Sequence, residues 1–290
     1  MFVNLFGQFL VSKGKLTLAQ LDEVKAAGAK TRVKLGLIAI SEKILTEKQA
    51  EEINRKQAIM DKRFGDIAIE LGYLTGEQVS KLLDLQGNAY MVFCQTITDK
   101  GILTLSELDS LFEEYADSIK LKKEDYVSFK ADDLDTIIPI FIPSFDEKCN
   151  ELICIAIRTI NRLISTDLSI SMGTVVHQYE ADHFSYQVLD GDFRMITGFC
   201  GKDKSLLNIA DTFAGEEFDD VNEDALDSVG EFINIINGLF ATSLSYKKIQ
   251  VDMMPPVLSV DSTSVDATDV CLMPISIKGS AINLIVGIHD

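Results

Sequence analysis

The sequence predicts an α+β protein in two parts. An all-helical repeat domain comes first, followed by a domain of helices packed on a largely antiparallel sheet. Three observations carry that expectation. The first 118 residues repeat at a fixed step of 29 residues, with glycines and a Leu-Thr pair recurring in phase. The second half mixes amphipathic stretches with short apolar runs bounded by polar turns, which is how helices and strands read when they share one core. Charge divides at the same place: residues 1–118 hold 14 basic and 17 acidic side chains, a balance of −3, while residues 146–290 hold 9 and 23, a balance of −14.

Composition bounds the function. A chain of 290 residues, 47% of them hydrophobic, has room for two domains with real cores. The acidic half lacks the clustered Lys and Arg that phosphate backbones require, so no nucleic-acid partner is expected; most of the excess acidity serves solubility. Five cysteines (94, 149, 154, 200, 271) form no CxxC pair and have no histidine at ligand spacing. Reduced cytosolic thiols, no disulfide framework and no metal site are the expectation. The opening "MFVNLFGQFLVSKGK" has no basic leader and is interrupted by Gly7 and Gln8, and no run is long enough to span a bilayer. The protein is expected to be cytoplasmic, with no membrane partner. His177, His183 and His289 are scattered and are expected at the surface.

The repeat is seen by aligning "LFGQFLVSKGKLTLAQL" from Leu5, "KLGLIAISEKILTEKQA" from Lys34, "RFGDIAIELGYLTGEQV" from Arg63 and "VFCQTITDKGILTLSEL" from Val92. A first glycine recurs as Gly7, Gly36 and Gly65, with Cys94 in the fourth copy. A second recurs as Gly14, Gly72 and Gly101, with Lys43 in the second copy. Thr17, Thr46, Thr75 and Thr104 are each followed three residues later by Gln20, Gln49, Gln78 and Glu107, the pattern of a capping box. Each copy therefore predicts a short helix ending at a glycine, a tight turn and a capped second helix. Four such copies stack into a helical domain assigned to residues 1–118.

The run R-[LF]-G, a second Gly, then Leu and a closing Gln resembles the N-terminal domain of type II secretion and pilus ATPases. In some of these, called MshEN domains, two such motifs five residues apart bind cyclic di-GMP. Units two and three, 34–57 and 63–86, have that length and that gap. Unit three carries Arg63, Phe64, Gly65, Gly72, Val79, Leu83 and Gln86. Unit two keeps Leu35, Gly36 and Gln57, with Lys34 in place of the Arg and Lys43 in place of the second Gly. Units one and four have Leu5 and Gly28, and Val92 and Tyr115, at the two polar ends. The resemblance covers about a third of the chain and implies cyclic di-GMP as a ligand of Lys34, Gln57, Arg63 and Gln86. Arg is a planar, bidentate partner for a guanine edge or a phosphate. The other reading is a helical docking module in which these are ordinary surface residues, and the half-degenerate motif of unit two favours it.

Residues 119–145 are expected to be a linker. "LKKEDYVSFKADDLD" is charged, and "TIIPIFIPSF" is an apolar run broken by Pro139 and Pro143, an edge strand or a packed connection. From 146 to 290 the predicted order is a helix at "DEKCNELICIAIRTINRLIS" and strands around "DLSISMGTVVHQ", "HFSYQVLD" and "FRMITGFC", with Asp190-Gly191-Asp192 as a hairpin turn. Helices around 203–214 and 222–243 follow. The apolar runs "KIQVDMMPPVLSV", "DVCLMPISI" and "AINLIVGI" close the chain.

The helix at 222–243 holds the candidate site. Leu226, Val229, Phe232, Ile233, Ile236 and Leu239 recur at helical spacing, as burial requires. Asp227, Glu231 and Asn234 fall at i, i+4 and i+7 and stack three polar side chains in one stripe. The E-x-x-N spacing alone is not specific, because Glu51/Asn54 and Glu147/Asn150 share it. Only Glu231/Asn234 has an Asp four residues earlier and a proline on a following strand.

This arrangement resembles the CheC/CheX/FliY family of chemotaxis phosphatases, whose signature is an acidic or Ser residue, then E-x-x-N, then a proline roughly two dozen residues on. Asp227, Glu231, Asn234 and Pro255-Pro256 occupy those places, the proline slightly early. The resemblance covers about 145 residues, and a single E-x-x-N points to CheX rather than CheC. It implies dephosphorylation of a phosphorylated CheY-type response regulator, with Glu231 and Asn234 catalytic and Asp227 accessory. In the family the Glu pairs with the receiver's lysine. An amide can place the attacking water, and little else is needed. Mg²⁺ is expected on the receiver and no cofactor on this chain. The alternative is a non-catalytic adaptor for a phosphorylated receiver or a flagellar-switch partner, with cyclic di-GMP acting at the repeats. A homodimer is compatible with either.

Overall fold

The computed structural model describes every residue except 29, 61, 262, 289 and 290, so His289 lies outside the described residues. The chain forms two compact units, Phe2–Asp133 and a second from Leu134 onward. An all-helical region is followed by an antiparallel sheet with packed helices, the α+β class expected from the sequence.

In the first unit each repeat is one helical pair: α1 (Phe2–Ser12) with α2 (Leu18–Gly28), α3 (Leu35–Ser41) with α4 (Glu47–Gln57), α5 (Phe64–Glu70) with α6 (Gly76–Asp84), and α7 (Ala89–Asp99) with α8 (Leu105–Ser118). The Leu-Thr pairs do what the spacing predicts. Thr46, Thr75 and Thr104 each make a complete capping box with Gln49, Gln78 and Glu107. Thr17 and Gln20 exchange the same two bonds at 2.9 and 3.2 Å. The second-glycine position ends the first helix of each pair in a left-handed residue. At Gly72 (φ +69°) the N–H reaches Ile69 O, and the next N–H, of Tyr73, reaches back to Ala68 O, both at 2.9 Å. Lys43 makes the same turn at φ 57°, with Lys43 N to Ile40 O and Ile44 N to Ala39 O. At the first-glycine position the need is space: a Cβ on Gly65 would lie 2.8 Å from Val79 Cγ1, so its absence lets α5 close onto α6.

The core of this unit is aromatic. The Phe2 ring lies 5.7–6.3 Å from those of Phe6, Tyr90, Phe93, Phe112 and Phe129. Phe129 belongs to α9 (Tyr126–Lys130), inside the segment expected as linker. Lys130 Nζ sits 3.9 Å over the Tyr90 ring, and Phe2 N–H donates to Asp132 Oδ1 at 2.7 Å. Burial lowers the Lys130 pKa and raises that of Tyr90, whose hydroxyl bonds Asp109 at 2.5 Å.

The second unit opens with α10 (Leu134–Phe141) and α11 (Glu147–Leu163). It continues with β1 (Leu168–Ile170), β2 (Thr174–Ala181), β3 (His183–Gly191) and β4 (Met195–Gly201), then α12 (Leu207–Ala214) and α13 (Glu223–Tyr246). It closes with β5 (Val251–Met253), β6 (Val257–Ser259), β7 (Thr263–Ile277) and β8 (Ser280–Ile288). The sheet order is β1-β7-β8-β4-β3-β5, with β2 also on β7 and β6 also on β3. Every pairing is antiparallel.

One expectation needs correction. "TIIPIF" is the helix α10, not an edge strand: Ile137, Ile138 and Phe141 share a buried face. Pro139 removes one bond to the carbonyl of residue 135, a tolerable loss in so short a helix, and Ile142, which precedes Pro143, lies beyond the end. The last pair of the β3–β4 hairpin is Leu189 with Met195, so its reversal spans residues 190–194 and includes Asp190-Gly191-Asp192, while Asp190 and Gly191 also pair with Asp252 and Val251 of β5.

One sheet face packs a cluster that includes Phe184, Ile196, Cys200, Val270, Leu272 and Ile285. The other lies under α13, where Phe199 stacks on Phe232 with centroids 6.0 Å apart. All five cysteines are free, and burial raises each thiol, Cys94 and Cys200 to about 12 and Cys271 to about 11. None is poised as a nucleophile at neutral pH.

Candidate functional site

Helix α13 starts where Asn222 accepts a hydrogen bond from Ala225 N–H at 2.9 Å, with Glu223 and Asp224 in the favourable first turn. Leu226, Val229, Phe232, Ile233, Ile236 and Phe240 form its buried face. The opposite face presents Asp227, Glu231, Ile235 and Leu239 to solvent. Leu239, expected in the buried stripe, is 40% exposed because it continues the i, i+4 row of Glu231 and Ile235. Met253, Met254 and Val257, around the link from β5 to β6, are also exposed.

Asn234 sits at the border of the two faces and is half-buried. Its Nδ2 donates to Glu231 Oε2 at 3.2 Å. Its Oδ1 accepts from Gln187 Nε2 at 2.5 Å. Gln187 lies on β3 under the helix and is 2% exposed; it also donates to Met254 O at 2.7 Å and accepts from Asn237 Nδ2 at 2.8 Å. Gly230 allows this approach, since a Cβ there would stand 3.1 Å from Pro256 Cβ and 3.4 Å from Ser185 Oγ. Among the described residues Glu231 and Asp227 have no ion-pair partner, although they are like charges one turn apart on an exposed face. That is an arrangement mildly unfavourable to the isolated helix.

The structure therefore brings Glu231 and Asn234 into contact and leaves Asp227 exposed one turn before them. The other two E-x-x-N pairs stand elsewhere, Glu51/Asn54 on α4 and Glu147/Asn150 on α11. His177 is exposed and lies 3.0 Å from Asp269, and His183 Nδ1 is buried with no partner among the described residues. Gln187 and Asn237 gave no signal in the sequence beyond being amides near apolar residues.

In the first unit Lys34, Gln57, Arg63 and Gln86 all line one cavity of about 1140 Å³, with Arg32 and Phe64 on its wall. Three of the four are tied down: Lys34 Nζ to Asp99 at 2.9 Å, Gln57 Nε2 to Lys62 O at 3.2 Å and Gln86 Nε2 to Val33 O at 2.9 Å. The Arg63 guanidinium has no hydrogen bond or ion pair among the described residues.

Residues 186–270 match the family model described as "Chemotaxis phosphatase CheX". That match lies within the second unit. The matched segment runs from β3 into β7 and so includes Gln187, the whole of α13 and Pro255-Pro256; the N-terminal helical unit lies outside it. No curated protein matches the chain. Solved structures similar to it include a CheC-like superfamily protein from Shewanella sp. PV-4, at 17% identity and TM-score 0.43, covering 50% of this chain and 100% of that one. A chemotaxis protein CheX from Desulfovibrio desulfuricans follows at 14% identity and TM-score 0.43, with the same two coverages. A CheX–CheY–BeF3–Mg²⁺ complex from Borrelia burgdorferi matches at 19% identity and TM-score 0.39, covering 50% of this chain and 99% of that one.

Proposed function

We propose that the second unit hydrolyses the aspartyl phosphate of a CheY-type receiver, with Glu231 and Asn234 as the working pair. The observation that carries this reading is the contact of an exposed carboxylate and a half-buried amide on one helix of a CheX-family domain. Acyl-phosphate hydrolysis needs chiefly a water in line with the departing oxygen. Asn234 Oδ1 gives one lone pair to Gln187 and keeps the other for such a water. Its Nδ2 keeps one N–H, beyond the bond to Glu231, for a phosphoryl oxygen. Glu231 has no cation partner among the described residues and is suited to take the receiver's lysine, which sets the register of docking. Asp227 adds negative charge one turn upstream, and Ile235, Leu239 and Met254 form an apolar rim. Mg²⁺ in this reading belongs to the receiver.

The test is the decay of a CheY-type receiver, phosphorylated with acetyl phosphate, with and without the full chain. Faster decay is the expected result. Unchanged decay together with receiver binding would leave a non-catalytic adaptor.

A second reading concerns the first unit. Convergence of Lys34, Gln57, Arg63 and Gln86 on one cavity supports cyclic di-GMP as its ligand, with Arg63 a cation that has no partner among the described residues. Calorimetry with cyclic di-GMP should then detect binding, and Arg63→Ala should weaken it by about 1–3 kcal/mol through loss of a bidentate contact. No heat of binding would leave the docking-module reading.

A further inference from the structure

We propose that Gln187 is a positioning residue that decides which end of the Asn234 amide is offered to the reacting water. The proposal rests on the reading of Glu231 and Asn234 as the working pair and reaches one residue behind it. The two ends of an amide side chain have the same shape, so only hydrogen-bond partners fix which is oxygen and which is nitrogen.

The chain of deduction begins at an atom with no choice. Met254 O, a pure acceptor, lies 2.7 Å from one terminal atom of Gln187, so that atom is the nitrogen Nε2. The other end of Gln187 is then Oε1, and it accepts from Asn237 Nδ2 at 2.8 Å. The second N–H of Gln187 Nε2 points to Asn234, which must answer with Oδ1. Asn234 Nδ2 is thereby turned to Glu231 Oε2, the acceptor it needs. Polarity thus passes from a main-chain carbonyl through Gln187 and Asn234 to an exposed carboxylate.

Reversing Asn234 alone would set its N–H groups against the Gln187 donor and its carbonyl against the Glu231 carboxylate. Gln187 is 2% exposed, so water cannot relieve the mismatch at its donor. Met254 is held as well, since its N–H donates to Val188 O at 2.9 Å. Gln187 is 2% exposed and lies on β3 beneath α13, away from its solvent face. Its effect should therefore fall on turnover rather than on docking.

The test uses the full chain with a CheY-type receiver phosphorylated by acetyl phosphate. Gln187→Leu removes both donors, and the isosteric Gln187→Glu replaces them with acceptors. Either should lower kcat about 10-fold or more with KM changed by less than about twofold. In an Asn234→Ala background the same changes should alter the residual rate by less than about twofold, because the group they position is gone. Wild-type kcat in both folded variants, or an equal loss with and without Asn234, would overturn the proposal. A second readout does not need turnover. The side-chain NH₂ resonances of Asn234, identified by their loss in Asn234→Ala, should move to those of a free amide in Gln187→Leu and Gln187→Glu. If the wild-type chain leaves receiver phosphate untouched, the phosphatase reading fails. The resonances alone then decide whether Gln187 orients Asn234, and unchanged resonances overturn that claim.

Discussion

Asn234 Nδ2 donates to Glu231 Oε2 across 3.2 Å, so the amide and the carboxylate form one joined polar edge on α13. Their proposed roles differ, and substitution should separate them. Placing the attacking water matters chiefly in the transition state, so Asn234→Ala should cut turnover about 10²-fold or more while the receiver still binds. Glu231→Ala should weaken docking as well as turnover. Asn150→Ala, which has the same spacing on α11, should leave activity near wild type. Receiver-phosphate decay and a binding isotherm check all three.

Lys43 takes φ 57° where Gly14, Gly72 and Gly101 take 67°, 69° and 66°. A side chain at such an angle costs about 1–2 kcal/mol, while a glycine loosens the unfolded chain by about 0.4–1 kcal/mol. Lys43→Gly should therefore stabilise the first unit by roughly 0.5–1 kcal/mol, read as a raised urea midpoint with an unchanged m-value. Gly72→Ala should move the midpoint the other way.

Glu107 is the one ionisable residue among the four capping positions. The Thr104 backbone N–H it accepts lowers its pKa below the ordinary 4.5. A carboxylate with a lowered folded-state pKa lends stability above its unfolded value and loses it as pH falls through the folded one. The melting-temperature difference between wild type and Glu107→Gln should be constant near neutrality. It should shift against the wild type below pH 4.5.

The first unit reaches Asp133, and Phe129 is among the rings around Phe2. A fragment of residues 1–118 therefore exposes the place where Phe129 packs and loses the Asp132 partner of Phe2 N–H. It should melt lower and less cooperatively than a fragment of residues 1–133, by circular dichroism at 222 nm; about 3–5 kcal/mol is typical for deleting a buried Phe. Equal melting of the two would show that α9 adds nothing to this core.

What was legible in the sequence had local causes. The capping boxes at Thr46, Thr75 and Thr104 each span four residues, and the glycine turns scarcely more, so four copies announce themselves in phase. Helical spacing places Glu231 beside Asn234, and Asp227 and the following prolines set that pair apart from Glu51/Asn54 and Glu147/Asn150. The four polar residues that line one cavity were found through the resemblance of units two and three to a paired motif, which repeat phase alone does not single out. Gln187 was not legible. In "HFSYQVLD" it reads as one more polar residue of a strand, and its burial depends on a helix whose partner residue lies 47 positions away. The helix α10 was missed for the converse reason: two prolines are a strong local signal, and packing of Ile137, Ile138 and Phe141 overrides the first of them.

The Met254 carbonyl belongs to the main chain, and no codon change at that position can remove it. Pro255 restricts the residue before it to extended conformations, which helps fix where that oxygen points. The direction of the Asn234 amide is therefore inherited from the path of the backbone between β5 and β6. The Met254 side chain, exposed on the rim, is left free to vary. Evolution can thus retune what the rim grips without disturbing how the amide is aimed. An insertion or deletion between β5 and β6 would break that independence, where a point substitution at 254 would not.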